Sequence, residues 1–516
     1  MTAQADGVIS RLSVLDLGSN SFHVLIADAR PDGGIVPVGR EREMLHLGAV
    51  VQRHGHVPDG DRARAVDTVT HLTELAARLG ATTRLAVATS ALRDAANGAE
   101  VIAEMEAAAQ TEVRVLDGPT EAALAYRGVR ASVALDDEPV LVMDLGGGSL
   151  EFAVGTGNRI DWSTSLDLGV SRLSTDLDED PPSSADVKAL RRLVRAAVRD
   201  HAGTIHDLSP RTVVAVGGTI RALGRVVAAE HHDWLPATLN ELTVPAVAIA
   251  HLRDLLVAID ARSRADVPGM KSKRADRIHV AAIIVDAVLE TLEVDRFVLS
   301  DWGLREGVLL DAMGVDSVPT PRELRTRQID RIVETFVPDD PHLPQVTALA
   351  LQLFDGTADL HGLGPSEREI LEHAGRVHDI GEALTLRRHH HHGAYILEHA
   401  ELRGFSPART AMLCSIVRFH PSRGLSDAYP PVASLGPDQR EHTERLVALL
   451  QLADGLDRAR DQAVTGLDVE VDDDAITVHL HGDGLHVART EFERKAAMFQ
   501  RVFGRRVRLA DDRAID

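Results

Sequence analysis

Short apolar runs alternate with amphipathic stretches over residues 10–310, which is the pattern of an α/β protein. Two pairs of these runs flank glycine-rich loops and predict two β-hairpins. The paired strands are predicted at 13–15 with 22–26, and at 139–143 with 150–154. Further strands are predicted at 84–89, 113–116, 212–216 and 296–299, and helices at 65–79, 99–109, 120–129, 185–200 and 274–289. Because the second half repeats the order of the first, the sequence predicts two similar lobes, 1–130 and 131–314.

The pattern changes after a proline-containing linker at 316–322. From there to about residue 460 the apolar positions recur with helical spacing, which predicts an all-α domain over 323–460. Two alternating strands follow at 467–471 and 475–480, and an amphipathic helix at 491–503 ends at Gly504. These elements predict a small α+β C-terminal domain over 461–516.

The composition limits the functions that this chain can have. Its 516 residues carry a formal net charge of −22, which argues against a general nucleic-acid binder or a membrane-surface protein. Neither a secretion signal nor an apolar run long enough to span a bilayer is present, so we expect a cytoplasmic protein. The single cysteine, Cys414, lies in an apolar run and is expected to be a buried thiol. A polyanionic substrate is still allowed, because local basic patches decide that.

The two glycine-rich loops carry the first candidate chemistry. They read DLGSNS at 16–21 and DLGGGS at 144–149, so both have an acid, a glycine and a hydroxyl in the same order. Either loop alone is also typical of a tight hairpin turn. Glycines let backbone N–H groups approach phosphate oxygens, and a neighbouring aspartate can bind a divalent cation. Two copies therefore predict two lobes that bind a phosphate chain between them. A third loop at 217–219 opens a helix after a strand and can bind another phosphate.

Several side chains are candidates for the reaction itself. Asp144 is the best cation ligand, with Asp16 and Glu151 as partners. Glu121 lies in the first turn of a predicted helix, where it either interacts favourably with the helix dipole or acts as the general base that aligns a water molecule. Arg93 either clamps a phosphate or caps a loop. A basic cluster either lines the entry for a polyanion or forms an exposed loop, and it consists of Arg262, Arg264, Lys271, Lys273, Arg274 and Arg277.

The helical part contains a second constellation. A histidine, a later His-Asp pair and a distant aspartate follow one another in the order of a metal site, and they are His342, His378, Asp379 and Asp454. A divalent ion accepts such nitrogen and oxygen ligands. Either His391 or His392 is a candidate to join this site, and His420 is another.

Taken together, these motifs resemble those of the exopolyphosphatase/guanosine pentaphosphatase (Ppx/GppA) family. The matching segments, in the order of the family, are LDLGSNSFH (15–23), TSALR (89–93), EA (121–122), DLGGGSLE (144–151), VGGTI (216–220) and GLREG (303–307). The helical part looks like the HD-type domain of the family, and the tail resembles its small C-terminal domain. The resemblance implies two actin-like ATPase (ribonuclease H-like) lobes with the active site in the cleft between them, and it implies a homodimer.

The resemblance also implies an activity, the Mg²⁺-dependent hydrolysis of the terminal phosphoanhydride of inorganic polyphosphate to orthophosphate. Some members also remove the 5′ γ-phosphate of guanosine pentaphosphate. Carried over by motif, Glu121 would be the catalytic base, Arg93 a phosphate clamp and Asp144 the magnesium ligand, supported by Glu151. The residues that bind phosphate would be Asp16, Ser19 and Asn20 in the first lobe, and Gly146, Gly147, Gly148 and Ser149 in the second, beside Gly217, Gly218 and Thr219.

The chain departs from the family pattern in two places. The family often carries a Glu-Glu pair at the catalytic helix, whereas this chain reads Thr120-Glu121, so charge coupling to Glu121 should be smaller. Conversely, the HD-type domain of many members looks degenerate, whereas the four residues from His342 to Asp454 keep the full order here. We therefore expect a second divalent metal in this third domain.

Other functions stay open at this stage. A guanosine pentaphosphate phosphohydrolase would use the same site, but it needs a base pocket, which leaves no recognisable signature in the sequence. A sugar kinase or chaperone-like ATPase would have the same lobes, but it needs an adenosine pocket and an acceptor-binding base. A regulatory protein would sense a ligand with its lobes and would sense or hydrolyse a nucleotide with its HD-type domain. Glu121 and the HD-type domain favour hydrolysis, and the basic cluster favours a long polyanion.

Overall fold

The computed structural model of the chain describes residues 9–177, 179–231 and 234–510. These residues form two compact units. The first contains the described residues up to His231 together with Leu239–Pro321, and the second contains those within 232–238 and from Arg322 onward. Residues 1–8 of the predicted first lobe and 511–516 of the predicted C-terminal domain lie outside the described residues.

The first unit contains two sheets with the same strand arrangement. The first sheet consists of β1 (Ser10–Leu17), β2 (Ser21–Ala29), β3 (Ile35–Met44), β4 (Thr83–Ala88) and β5 (Val113–Val115). Its order is β3-β2-β1-β4-β5, with three antiparallel strands followed by two parallel ones.

The second sheet repeats this order. It consists of β6 (Val140–Leu145), β7 (Leu150–Thr156), β8 (Arg159–Leu166), β9 (Thr212–Val216), β10 (Thr243–Pro245) and β11 (Arg296–Leu299). From β8 the order is β8-β7-β6-β9-β11-β10, again three antiparallel strands and two parallel ones, with β10 as an additional antiparallel edge. The repeat predicted from the sequence is therefore present as two α/β lobes.

Both glycine-rich loops are hairpin turns, as predicted. Asp16 pairs with His23 near the end of β1, and Asp144 pairs with Glu151 near the end of β6. Because β1 and β6 lie in the middle of their sheets, their residues are mostly buried, which explains the continuous apolar runs before the loops. The turns therefore bring an aspartate and a glycine-rich loop to the same end of each sheet.

Helices cover the sheets of both lobes. The first lobe contributes α1 (Leu47–His54), α2 (Asp59–Arg78), α3 (Ser90–Asp94), α4 (Gly98–Ala109) and α5 (Gly118–Arg130). The second contributes α6 (Val170–Leu173), α7 (Ser184–Asp207), α8 (Gly218–His231), α9 (Ala246–Ala258), α10 (Ala261–Ala265), α11 (Ile278–Thr291) and α12 (Leu304–Ala312). Single 3₁₀ turns lie at Ser174–Asp176 and Ser272–Arg274.

Two of these helices pack across the lobe boundary predicted at residue 130. Helix α5 packs on the second sheet, where Tyr126 and Val129 share a core with Val140. Helix α12 instead packs on the first sheet, where Leu309 shares a core with Val14. The two lobes therefore exchange helices, and the packing does not follow the order of the chain. A hydrophobic pattern records that a helix face is buried but does not identify the sheet that buries it.

The second unit is mainly helical, with a small sheet near its end. Its helices are α13 (Pro321–Phe336), α14 (His342–Gly356), α15 (Ala358–His361), α16 (Pro365–Val377), α17 (His389–His399), α18 (Pro407–Phe419), α19 (Pro430–Ala433), α20 (Pro437–Leu456) and α21 (His486–Phe503), with a 3₁₀ turn at Ile380–Ala383. The strands β12 (Val464–Val471), β13 (Ala475–Gly482) and β14 (Arg506–Leu509) form a sheet in that order.

One core runs through the whole second unit. Phe492 and Phe499 of α21 are fully buried in the same cluster as Leu449 of α20 and Leu353 of α14. The segment predicted as a separate C-terminal domain therefore shares its core with the preceding helices. Cys414 is fully buried in this core, as predicted. Across residues 9–177, 179–231 and 234–510, helices are too short or too polar to cross a lipid bilayer.

Candidate functional site

A cleft of about 400 Å³ in the first unit is lined by both glycine-rich loops. The N-terminal ends of α5, α8 and α12 also reach it. With the exception of Arg93, every residue that the resemblance assigned to phosphate or magnesium in the two lobes lines this cleft, and so does Glu121. The residues named from the sequence therefore lie together, although they come from separate parts of the chain.

The first glycine-rich loop is fixed by the segment 89–93. The Ser19 hydroxyl hydrogen bonds with that of Ser90 at 2.6 Å and accepts a hydrogen bond from the backbone N–H of Ala91. The Asn20 side-chain oxygen lies 2.7 Å from His46 Nδ1. Ser19 and Asn20, two of the three predicted phosphate-facing residues of this loop, are thus oriented by hydrogen bonds within the first lobe.

The second glycine-rich loop is fixed by α6. The carbonyl oxygens of Gly146 and Gly147 accept hydrogen bonds from the backbone N–H groups of Val170 and Ser171 at 3.1 and 2.8 Å. The Gly148 carbonyl accepts another from the Arg172 guanidinium at 3.0 Å. Because the N–H of a trans peptide points away from its C=O, the N–H groups of 147–149 point away from α6. This is the orientation that an anion-binding nest requires.

The third loop, after β9, has the conformation that its sequence suggested. Gly217 has φ +110°, which is unfavourable for residues with a Cβ, and it joins β9 to α8. The first residues of α8 line the cleft, so this helix directs its N-terminal N–H groups there. The hydroxyl of Thr219 accepts a hydrogen bond from Arg274 at 3.0 Å.

The cleft contains a group of buried carboxylates. Burial raises the pKa of Asp16 and of Asp144 to about 6, and the negative charge of Asp16 adds to the effect on Asp144. Burial and the neighbouring Asp144 raise the pKa of Glu151 to about 8, although its Oε1 accepts a hydrogen bond from Ser165. Carboxylates that repel one another in this way favour a cation between them. Their oxygen atoms are the ligands that Mg²⁺ prefers, so the donor set fits this ion.

Glu121 belongs to the same group. It lies in the first turn of α5, which begins where the Asp117 side chain accepts a hydrogen bond from the N–H of Thr120. Its side chain is buried, and its Oε2 has no hydrogen-bond partner. Burial and then the charges of Glu151, Asp144 and Asp16 raise the pKa of Glu121 well above its usual value. A buried carboxylate oxygen without a partner is suited to bind a water molecule or accept a proton.

Arg93 does not line the cleft. Its guanidinium donates a hydrogen bond to the carbonyl oxygen of Leu116 at 2.6 Å and lies 3.6 Å from Glu121 Oε2. The structure thus places Arg93 beside the carboxylate of Glu121 rather than among the phosphate-facing residues.

The cleft is also lined by cations, and the sequence analysis did not name Arg42, Arg221 or Arg305 as site residues. They are Arg42, Arg221, Lys273, Arg274, Arg277 and Arg305. Burial and the neighbouring charges of Arg42 and Arg221 lower the pKa of Arg274 to about 10. Cations so close together repel one another, and a bound polyanion would relieve that repulsion. Arg305 lies in the GLREG motif and Arg221 follows the VGGTI motif, so motif position was the only sequence signal for them.

The basic cluster predicted at 262–277 is divided in the structure. Lys273, Arg274 and Arg277 line the cleft, but the other members do not. Arg264 is fully buried and pairs with Asp180 at 2.6 Å, while its Nε donates to the Leu256 carbonyl oxygen. The predicted entry therefore includes only the C-terminal half of the cluster, because Arg264 is part of the core.

The second unit brings the predicted metal-site residues together. His342 begins α14, His378 and Asp379 follow α16, and Asp454 lies in α20. His342 Nε2 lies 3.7 Å from Asp379 Oδ2 and 3.6 Å from Asp454 Oδ1. His378 Nε2 lies 3.6 Å from Asp379 Oδ1, and all four residues are buried. The spacing in the sequence therefore predicted a true cluster.

Two further histidines complete this cluster, and the sequence analysis named only one of them. His389 Nε2 lies 3.1 Å from Asp379 Oδ1 and 3.3 Å from His420 Nε2. The expectation that His391 or His392 joins the site is wrong, since it is the first histidine of the run, His389, that faces Asp379. We call these six residues (His342, His378, Asp379, His389, His420 and Asp454) the His/Asp cluster.

The electrostatics of the His/Asp cluster favour positive charge at its centre. Burial lowers the pKa of His342, but the carboxylates of Asp454 and Asp457 outweigh it and raise the value to about 9. Burial raises the pKa of Asp454, yet His342, His420 and His378 bring it well below its usual range. The carboxylates of this cluster are thus ionised and surrounded by imidazoles.

Comparisons with known proteins agree with this architecture. A sequence profile of the Ppx/GppA phosphatase family matches residues 25–315, and one of Ppx/GppA phosphatase domain III matches residues 324–493. An uncharacterised protein of Streptomyces coelicolor is 35% identical over 304 residues, covering 58% of this chain and 89% of that protein. Exopolyphosphatase 1 of Mycobacterium tuberculosis is 30% identical over 302 residues, covering 58% of this chain and 87% of that protein. The crystal structure of an exopolyphosphatase from Cytophaga hutchinsonii superposes with a TM-score of 0.55 at 28% identity, covering 60% of this chain and 100% of that one.

Proposed function

The chain belongs to the Ppx/GppA phosphatase family, an assignment that makes it a phosphate-releasing hydrolase with actin-like lobes, and on this premise we propose that it is an exopolyphosphatase. It would hydrolyse the terminal phosphoanhydride of inorganic polyphosphate and release orthophosphate. One observation carries the proposal most strongly. The cleft lined by the glycine-rich loops also carries the cations around Arg274, and a linear polyanion would neutralise more of them than a single phosphate group would.

The proposed reaction is an in-line attack of water on the terminal phosphorus. Glu121 would orient this water and accept its proton, since its Oε2 is buried without a hydrogen-bond partner. A raised pKa makes its carboxylate a stronger base than an exposed glutamate. Arg93, beside Oε2, would keep this carboxylate in position and moderate its charge.

The backbone and the cations would bind the substrate. The N–H groups of 147–149 and of the start of α8 would donate to the oxygens of the terminal phosphate, where charge develops during the reaction. Arg274, which is held against Thr219, would bind the phosphates that follow. Arg277, whose guanidinium donates to the Ser171 hydroxyl at 3.2 Å, would do so on the side of α6.

Magnesium fits the set of buried carboxylates in the cleft. Asp144 would be its main ligand, with Asp16 and Glu151 as supporting oxygen donors. When bound, the ion supplies neutralisation of the phosphate oxygens and lowers the mutual repulsion of the carboxylates.

The experiment is phosphate release from long-chain polyphosphate and from guanosine pentaphosphate, side by side, with magnesium. Glu121→Gln is expected to lower turnover by about 10²–10⁴-fold while substrate binding is mostly kept. The amide cannot act as the general base, but it has nearly the same size and shape as the carboxylate. Glu138→Gln, an exposed glutamate outside the cleft, is the matched control and should behave like the wild type.

The outcomes separate the hypotheses. Faster phosphate release from polyphosphate, lost in the Glu121 variant, would support the proposal of an exopolyphosphatase. Faster phosphate release from guanosine pentaphosphate, also lost in the variant, would support the same active site with the nucleotide as its substrate. Near-normal turnover in Glu121→Gln would remove Glu121 from the role of base. The HD-type classification of the second unit and a homodimer stay predictions from the family resemblance.

A further inference from the structure

We propose that the His/Asp cluster of the second unit binds two divalent transition-metal ions that share the carboxylate of Asp379. This goes beyond the proposed phosphatase reaction, which uses residues of the first unit only. It also goes beyond the single site expected from the sequence, because the structure adds His389 and groups it with His420 and Asp379 as a second set of ligands.

The first step of the argument is the orientation of the imidazoles. The Nδ1 atoms of His378, His389 and His420 each lie within hydrogen-bond distance of a backbone carbonyl oxygen, at 2.8, 3.2 and 2.9 Å. A carbonyl can only accept, so each Nδ1 carries the hydrogen and each neutral ring has its lone pair on Nε2. His342 Nδ1 lies 2.8 Å from the carboxylate of Asp457, with the same result. This is how proteins fix the tautomer of histidines that bind metals.

The second step is that two of these Nε2 atoms are buried without a hydrogen bond. The Nε2 atoms of His342 and His378 are fully enclosed and have no hydrogen-bond partner. Burying such an atom is costly unless something satisfies it. A cation bound at the centre of the cluster would satisfy both atoms at once.

The third step is distance. Two ligand atoms bonded to one ion at about 2.1 Å stand roughly 3.0–3.6 Å apart, depending on the coordination geometry. The nitrogen–oxygen separations from His342, His378, His389 and His420 to Asp379 run from 3.1 to 3.8 Å. Most of them are too long for hydrogen bonds but close to the edges of a coordination polyhedron.

The ligand atoms fall into two sets that meet at Asp379. The inner set is His342, His378 and Asp379, extended by Asp454, and the outer set is Asp379, His389 and His420. The ligand atoms within each set of three lie within 4.8 Å of one another, whereas those of the two sets together do not, so two ions with one shared carboxylate account for the sets better than one ion. The outer set has three protein ligands, which leaves a position for water.

Two cations contact the carboxylates of the cluster. Arg460 donates to Asp379 Oδ2 at 2.7 Å, and Lys495 donates to Asp454 Oδ2 at 3.3 Å. Asp379 Oδ1 lies within 3.8 Å of the Nε2 atoms of His378, His389 and His420. Asp379 Oδ2 and Asp454 Oδ1 lie 3.7 and 3.6 Å from His342 Nε2. Imidazole donors suit iron and zinc, and carboxylate donors suit manganese, so the mixed donor set of the cluster fits such transition metals, whereas Mg²⁺ is usually bound by oxygen donors alone.

The test is the transition-metal content of the full chain. The protein is purified without a nickel or cobalt resin, because the four consecutive histidines at 389–392 would take metal from it. We expect two equivalents of transition metal per chain by elemental mass spectrometry. The variant His389→Gln/His420→Gln should retain one, and His378→Gln/Asp379→Asn should retain none. The matched control His391→Gln/His392→Gln should retain two.

The same measurement can overturn the proposal. Wild-type protein with no retained metal would refute it, and so would one equivalent that does not respond to the His389/His420 substitutions. Equal loss in the His391/His392 control would show surface chelation by the histidine run instead. Glu121→Gln should keep two equivalents, so that a failure of the proposed phosphatase function leaves this result unaffected.

A second readout covers variants that fold poorly. Chelator-treated wild type is titrated with Mn²⁺, and its melting temperature and electron paramagnetic resonance spectrum are recorded. We expect a rise in melting temperature with metal concentration and an exchange-coupled signal from two neighbouring ions. In His389→Gln/His420→Gln the coupled signal should be replaced by that of an isolated ion. A coupled signal that persists in this variant, or no rise in melting temperature in the wild type, would exclude the shared site.

Discussion

The cleft of the first unit and the His/Asp cluster of the second unit both concentrate buried charge, but they do so with opposite chemistry. In the cleft, buried carboxylates, among them Glu121 with an oxygen that has no hydrogen-bond partner, lie near guanidinium groups, and the donor atoms are oxygens. In the cluster, four imidazoles surround two aspartates, and the donor atoms are mainly nitrogens. The cleft is therefore suited to a hard cation together with a polyanion, whereas the cluster is suited to softer metal ions that stay bound.

The two sites also differ in how much freedom their side chains have. In the cluster each Nδ1 has an acceptor, and Arg460 and Lys495 donate hydrogen bonds to the aspartates. In the cleft, the Glu121 Oε2 atom lacks such a partner and the cations face each other. A permanently bound ion favours preorganised ligands, whereas a substrate that enters and leaves requires groups that are satisfied only on binding.

The largest expected effect comes from removing the main oxygen ligand of the cleft. Asp144→Asn should raise the magnesium concentration for half-maximal phosphate release by at least about 100-fold, because one negative donor is lost. The transition-metal content of the second unit should not change. Magnesium titrations of phosphate release and elemental analysis of the same preparation measure the two effects.

Asp137→Asn is the control for this change, since Asp137 is exposed and does not line the cleft. An unchanged magnesium requirement in Asp144→Asn would assign the ion to other carboxylates. A loss of transition metal in the same variant would contradict the separate chemistry of the two sites.

The next effect distinguishes the two halves of the basic cluster. Arg274→Gln should raise the KM for polyphosphate about 10–100-fold, since a charge-assisted hydrogen bond contributes roughly 1.5–3 kcal/mol. Arg262 lies outside the cleft and is exposed, so Arg262→Gln should leave KM unchanged. Initial-rate kinetics at saturating magnesium check both. An equal rise in KM for the two variants would show that the net charge of the protein, rather than the position of the arginine in the cleft, governs substrate binding.

Much of the fold could be predicted from the sequence because its signals are local. The strand–loop–strand units around 16–21 and 144–149 each lie within one hairpin, and the periodicity on either side is short-range. The four metal-site residues from His342 to Asp454 were recognisable because their order in the chain is itself the signal. The exchange of α5 and α12 between the sheets was not predictable, since it depends on contacts distant in sequence.

The residues that were missed depend on register and helix phase. Arg42 reaches the cleft because β3 pairs with β2 so that Arg42 lies opposite His23, and a sequence pattern does not reveal that register. His389, rather than His391 or His392, faces Asp379 because α17 begins at this residue, just after Arg388 with φ +58°. The phase of the helix from this start decides which histidine faces Asp379.

The smallest expected effect tests the helix pair that joins the two lobes. A Cβ at Gly307 of α12 would overlap the backbone oxygen of Leu124 in α5, and neither backbone can move away easily. Gly307→Ala should therefore destabilise the first unit by about 1–3 kcal/mol, the usual cost of overpacking. Thermal unfolding and phosphate release should both report this loss, while the metal content of the second unit is kept.

Gly203→Ala is the matched control, because Gly203 is an exposed position of α7 with no atom near its would-be Cβ. The same substitution there should stabilise the helix by about 0.5–1 kcal/mol, since alanine has the higher helix propensity. Opposite signs in the two variants would locate the effect in the contact between α5 and α12. If both variants were stabilised, the two helices would have room to separate, and the close approach of their backbones would not limit the arrangement of the cleft.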